Sequence, residues 1–414
     1  MKDNGSVLKK TWLKSTAVVF LTISVFLIYL APYWMFEESS RSSSLIRITL
    51  FLASIFLLSF YSVQDNAVNQ WRLKIAPLNL LLTVLFVYLF INAFLLSSDL
   101  QPARRLLLLV FVFLPFLFLE LNVQFIRKVI MLIAVVIAVF AVYSLINQFF
   151  KGGLPTGYRE GELFSSGTVG IASFRNTIVA AMHYAIGVTI LTYLLFTESK
   201  RILLWFWTVL LVFIVLYIIL TFARSAWVAC LVAAFVIYSL TFEKSKIRFY
   251  VAPIFLLLIL LYFSVNFIDY EFGERGMTHR DDIWRVVVSR IEGHWIFGYG
   301  LSTPFEPIPV QGVVVGNSHN VYLEIVYEVG LIGLLLYLFS LFAAVFTLFK
   351  SYLINIYSDL SVLFLALLVA VSVVMLTELN SWIHTPNLLW MWLWVPIAVS
   401  LSFERKLHIT MDQK

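Results

Sequence analysis

Charge is what this sequence has least of: 13% of its 414 residues are Asp, Glu, Lys or Arg. A soluble domain of ordinary composition carries about a quarter. There is one cysteine, Cys230, inside an apolar run, which excludes a disulfide framework and a cysteine-based metal site within the chain. Several catalytic signatures are also missing. There is no D-x-D pair, no H-E-x-x-H, no phosphate loop ending in lysine and no G-x-S-x-G elbow, so the common metal-dependent, nucleotide-dependent and serine-hydrolase designs find no support. The formal net charge of +6 does not point to nucleic acid, because the basic residues form no patch and no aromatic-interleaved tract.

Apolar residues fill the space that charge leaves, at 61% of the chain. A soluble core stops growing well below that content. The apolar residues also fall into runs near the roughly 20 residues a helix needs to cross the hydrocarbon layer. The pattern predicts an all-α polytopic membrane protein with about twelve spans: 15–35, 45–63, 76–96, 105–120, 127–149, 177–197, 202–221, 225–242, 248–268, 320–349, 357–377 and 386–403. Lys2, Lys9, Lys10 and Lys14 precede the first run, and no small-residue cleavage site follows it, which predicts a retained helix.

An even number of spans places both termini on one side. That side collects most of the Lys and Arg, among them Arg127, Lys128, Lys200, Arg201, Lys244, Lys246, Arg248, Lys350, Arg405 and Lys406. The short loops opposite hold Arg41, Arg47, Arg104 and Arg105. The positive-inside rule then predicts cytoplasmic termini. Two segments on the far side are too long to be simple connectors, 150–176 and 269–319. The second contains a predicted amphipathic helix near 280–295, with Ile283, Trp284, Val287, Val288 and Ile291 on its apolar positions. The organisation expected is nine spans over 1–268, a far-side loop over 269–319, then three spans and a cytoplasmic tail over 320–414.

Few residues could carry chemistry. Arg224, in LTFARSAW, sits between two apolar runs with almost no loop. Such a guanidinium is either an interfacial arginine reaching for water or an anion site, since its rigid fork suits a phosphate. Arg275, Arg280, Arg285 and Arg290 recur every five residues, so on a helix they spread around the axis and cannot share one ligand. His319 closes the long loop in GNSHNVYLEIVYEVGLIG; with Asn317 or Ser318 as cap it falls in the first turn of the next helix. Alone, a histidine there is more often a polar interface residue than a base. Glu378 and His384 lie in the short link LTELNSWIHTP. Glu324 and Glu328 lie a turn apart in an apolar span, where a structural ion pair with arginine is the expected role. Asp281 and Asp282 diverge as helix neighbours, so no metal site is expected.

Three stretches, LTFARSAW, HRDDIWRVVVSRIEGHWIFGYGLS and SHNVYLEIVYEVGLIGLLLY, together resemble bacterial O-antigen ligases, within the superfamily that also holds O-antigen polymerases and protein O-oligosaccharyltransferases. The resemblance covers roughly residues 150–400. It implies a helical, GT-C-like membrane glycosyltransferase with a periplasmic chamber in the bacterial inner membrane. By position, Arg224 and Arg280 would bind the diphosphate of an undecaprenyl-linked glycan. His319 would be general base on a hydroxyl of the lipid A-core oligosaccharide, and Ser318 and Asn320 would orient it. Glu378 stands where relatives carry an aspartate, giving it a supporting place. No metal and no cofactor are implied. A polymerase would use the same donor with a second lipid-linked glycan as acceptor. From a different class, a transporter would show inverted repeats and broken helices at the midplane, and neither is evident in the sequence.

Overall fold

A computed structural model describes residues 4–34, 40–62, 76–97, 99–119, 122–152, 171–174, 176–241, 279–310 and 313–412. Within them lie nine helices long and apolar enough to span a bilayer. They are α1 (Asn4–Trp34), α2 (Ser40–Ser62), α3 (Pro77–Leu96), α4 (Gln101–Phe118), α5 (Val123–Gly152), α6 (Thr177–Thr197), α7 (Arg201–Leu220), α8 (Arg224–Thr241) and α10 (Val321–Leu353). Between α8 and α10 come the short helix α9 (Arg280–Ile291) and a hairpin of β1 (Ile308–Val310) and β2 (Val313–Val315). After α10 follow α11 (Ser358–Val374), a π-helical turn (Trp390–Trp394) and α12 (Val395–Asp412). The chain is an all-α polytopic membrane protein.

Ten of the twelve expected spans coincide with helices, counting the shorter α11, though α1 already begins at Asn4, well before the expected residue 15. The run 248–268 lies outside the described residues. The run 386–403 is helical from residue 388 onward, passing through the π-helical turn into α12, which continues past Phe403 to Asp412 in a polar, charged tail. Helices are what lipid permits, because each backbone donor and acceptor must be matched within the segment.

α6 is the centre of the bundle. Nearly all of it is buried, from Ala180 to Phe196, whereas the other spans leave more than half of their most apolar window facing outward. It packs on α5, α7, α8 and α11, while α10 packs on α3, α11 and α12. Helix ends are matched in the same economical way. The first turn of α3 has no side-chain cap of its own; Glu404 of α12 accepts from Leu78 N at 2.8 Å and Asn79 N at 3.2 Å. Its neighbour Arg405 donates to the terminal carbonyls of Leu117 and Phe118 in α4. An anion at a helix start and a cation at a helix end both oppose the local dipole.

α10 is broken at Gly330, whose φ of 70° and ψ of −175° lie outside helical space. Such a break frees carbonyls and N–H groups in apolar surroundings, where each would cost several kcal/mol if left unmet. The segment 295–300 fills the gap. Tyr299 N and Gly300 N donate to Tyr327 O and Glu328 O, and Leu331 N and Ile332 N donate to Trp295 O and Ile296 O. Tyr88 of α3 donates to Val329 O. Asn92 ties the same segment to α3, giving Nδ2 to Phe297 O and taking Leu301 N. Close approach is why glycines stand here. A Cβ on Gly330 would lie 2.1 Å from Ile296 O, one on Gly298 2.4 Å from the Glu328 backbone, and one on Gly300 2.8 Å from Leu96. The Gly-x-Gly turn and the E-x-G-x-x-G stretch are therefore two halves of one interlock.

Gly330→Ala is expected to lower the thermal midpoint in detergent by an amount matching more than about 2 kcal/mol, from overlap and a left-handed φ together. Gly316→Ala, whose added Cβ would meet nothing within 4 Å, is the control and should melt like the parent.

Candidate functional site

The site gathers at the end of the bundle where α10 begins. Val321 N donates to Met375 O, joining the start of α10 to the end of α11. The link after α11 therefore runs directly beside His319. Asn320 caps α10, accepting from Leu323 N at 3.1 Å, so His319 stands one residue before the cap rather than in the first turn. The expectation that Asn317 or Ser318 would cap is corrected here, and the reason is local. Both are occupied around His319: Asn317 Oδ1 takes His319 N at 3.1 Å, while Ser318 Oγ donates to Asn320 O and accepts from Asn320 N. These bonds hold His319 at a φ of 48°, a conformation uncommon outside glycine and often found where function demands it.

The imidazole meets a carboxylate. His319 Nδ1 lies 3.1 Å from Glu378 Oε1, and the other oxygen, Oε2, takes Arg280 Nη2 at 2.5 Å. Glu378 thus bridges imidazole and guanidinium. The three side chains are 34%, 9% and 17% exposed for His319, Glu378 and Arg280, so the ring is the member most open to an incoming molecule. With Nδ1 held by the carboxylate, Nε2 is the ring atom left to take a proton.

Arg280 reaches this point because it opens α9. That helix buries Ile283, Val287 and Ile291 against Ile308 of β1 and Val326 and Tyr327 of α10. Trp284 Nε1 donates to Ser318 O at 3.0 Å, fixing α9 to the residue before His319. The other arginines turn elsewhere, as their spacing requires: Arg285 pairs with Asp282 at the surface, and Arg290 donates to Glu306 O and Pro307 O. Arg275 lies outside the described residues. α9 ends at Ile291, shorter than the 280–295 expected, since Gly293 and the interlocked segment follow at once.

Arg224 is half-buried at the first turn of α8, after a tight turn through Phe222 at a φ of 51°. The far end of α8 meets the far end of α10, where Tyr352 donates to Leu240 O. Arg224 therefore lies on the same side of the bundle as His319, on a separate helix from the bonded trio.

A cavity of about 390 Å³ opens against His319 and Glu378. Asn176, Asn317, Asn380, Asn387 and His384 also line it, and the amides give it donors and acceptors suited to hydroxyl-rich ligands. Sequence reasoning missed these amides as a group. Their only trace is their position, each beside a helix start or within the 377–387 link.

Among the described residues Glu324 and Glu328 form no close ion pair with arginine, although Arg105 stands near enough to Glu328 to act on it electrostatically. Glu324 Oε1 accepts Ser381 N at 2.8 Å, and Glu328 Oε2 accepts Trp382 Nε1 at 2.9 Å. Each carboxylate thereby holds the link that carries Glu378.

A spanning helical bundle with a polar cluster at one end defines a class, the multi-pass membrane protein with a site at its surface. Comparison narrows it. Residues 208–338 match the family described as O-antigen ligase, a segment holding Arg224, Arg280, Ser318, His319 and Asn320 but not Glu378. A curated relative, an O-antigen ligase of Pseudomonas aeruginosa, is 28% identical over 126 residues, which is 30% of this chain and 30% of that protein. Through this segment, about a third of its length, the chain is similar to the O-antigen ligase family.

Asn320→Ala is expected to cost about 1 kcal/mol through loss of the cap, read as a lower thermal midpoint, whereas Asn320→Asp keeps the acceptor and should melt close to the parent.

Proposed function

We propose that this chain is an inverting glycosyltransferase that moves a glycan from undecaprenyl diphosphate to a hydroxyl of the lipid A-core oligosaccharide in lipopolysaccharide synthesis. On this reading it lies in the bacterial inner membrane with both termini cytoplasmic and the 269–319 segment facing the periplasm. The observation that carries the proposal is the Arg280–Glu378–His319 line at the wall of an amide-rich cavity. Support comes from the matched segment, which holds two of the three residues.

The chemistry follows from these groups. The acceptor hydroxyl loses its proton to Nε2 of His319 as its oxygen bonds to the anomeric carbon. The bond from that carbon to the diphosphate oxygen breaks, and the diphosphate leaves with the electron pair. Attack opposite the leaving group inverts the anomeric centre. Glu378 holds the ring and stabilises the imidazolium that forms, as a buried carboxylate does in other histidine-based sites. The leaving group is already an anion, so it needs charge stabilisation rather than a proton. Arg280 supplies that charge from a five-donor fork of which Nη2 holds Glu378, and Arg224 adds a second guanidinium from α8. Both substrates are lipids, which accounts for a catalyst set among spanning helices.

His319→Ala should lower glycan transfer by about 10²–10⁴-fold while protein still accumulates in the membrane; undiminished attachment would remove the proposed base. Deletion of the gene should leave lipid-linked polymer unattached, whereas single repeat units on the core would identify a polymerase. Arg280→Lys should be impaired as well, since lysine lacks the paired donors, and EDTA should leave transfer intact; wild-type activity in the first or a metal requirement in the second would refute the arginine role.

A further inference from the structure

The link that carries Glu378 is bent more sharply than its residues favour. Leu379 has a φ of 72° and Ser381 a φ of 57°, both left-handed and neither glycine. Such conformations are strained and persist only where surrounding bonds enforce them. The enforcing bonds can be traced. Trp394 Nε1 donates to Trp382 O, Trp390 Nε1 donates to His384 O, and Asn387 Nδ2 donates to Ser381 O. These hold the downstream part of the link. Among the described residues between Glu378 and Trp382, Ser381 N donates out of the link to Glu324 Oε1 at 2.8 Å, and beside it Trp382 Nε1 donates to Glu328 Oε2 at 2.9 Å.

Glu324 is well placed for this. It lies in the first turn of α10, where its own N–H donates to Asn320 O, and it is 5% exposed. The same helix start thus presents His319 and grips the turn that presents Glu378. Among the described residues, its second oxygen, Oε2, is buried with no hydrogen-bond partner. A carboxylate kept in such surroundings with half of its acceptor capacity unused is costly as a packing element. The cost makes sense if the used oxygen sets a geometry.

We infer that Glu324 is a positioning residue, which fixes the distance between Glu378 and His319 by clamping the left-handed turn at Ser381. This rests on the function proposed above. What matters is the reach of an acceptor oxygen to Ser381 N, not the negative charge: Oε1 is the bonded atom, and an amide nitrogen could replace the unpartnered Oε2.

The test separates reach from charge. Protein reconstituted with lipid-linked glycan and lipid A-core oligosaccharide is assayed as parent, Glu324→Gln, Glu324→Asp, Glu324→Ala, Glu378→Ala and the Glu324→Ala/Glu378→Ala pair. Glu324→Gln keeps the acceptor in place and should hold kcat within about threefold of the parent. Glu324→Asp keeps the charge but draws the acceptor back by one methylene. It and Glu324→Ala should lower kcat by about 10–100-fold with acceptor KM little changed, the scale set by a misplacement near 1 Å. In the Glu378→Ala background, Glu324→Ala should cost nothing further, because the group it positions is gone. An active Asp variant beside an inactive Gln variant would overturn the inference, as would equal losses from Glu324→Ala in both backgrounds. If Glu324→Ala does not fold, the order of Gln over Asp still decides. A parent protein that moves no glycan defeats the functional reading and this inference with it, whereas an active parent with misordered variants defeats this inference alone.

Discussion

The site depends on one carboxylate used twice. Glu378 gives one oxygen to His319 and the other to Arg280, and it joins groups from three separate parts of the chain. The carboxylate itself is largely buried, so its bonds are diluted by water less than they would be at an exposed surface. A buried ion pair of this kind is poor evidence for stability, because desolvation offsets much of the attraction. It is better evidence for geometry. Removing one partner would leave a charge stranded, so the three side chains constrain each other.

Much of the remaining structure can be read as the means of delivering that carboxylate and its two partners. α9 is pinned to α10 by an apolar seam and by the Trp284 indole, which aims Arg280. The Asn317, Ser318 and Asn320 side chains form the collar that turns His319 out of the helix direction. The Glu378 link is held by indoles and amides whose hydrogen-bonding groups replace water within the bundle. Most donors and acceptors this deep find partners in the protein because lipid offers none.

How legible this was in the sequence differs from feature to feature. The spans were legible because twenty apolar residues in a row have few other uses, and most helix ends fell within a few residues of the expected points. The break at Gly330 was not, since the residues on both sides continue the apolar pattern and the cause lies some 30 residues upstream in a loop. His319 and Arg280 stood out by resemblance and by position. Glu378 was visible as a charged residue in an otherwise apolar neighbourhood, yet its central place depends on a contact across 59 residues that no periodicity encodes. The cap was misplaced for a related reason. Asn317, Ser318 and Asn320 are all competent caps, and which one acts is decided by local bonds around a left-handed histidine. Glu324 and Glu328 were expected to seek arginine; their hydrogen bonds go to a backbone amide and an indole because the tight link passes over them, and Arg105 acts on Glu328 from a distance.

The interlock at Gly330 carries a consequence for how the molecule meets its reactants. A loop that completes a spanning helix's own ladder cannot slide without exposing several donors and acceptors to hydrocarbon at once. The arginine-bearing arm and the histidine-bearing helix therefore travel together, as one solid piece. Their spacing is settled when the chain folds, before any reactant arrives. Any selection among ligands must then reside in which molecules can reach a finished constellation, rather than in which can induce one to assemble.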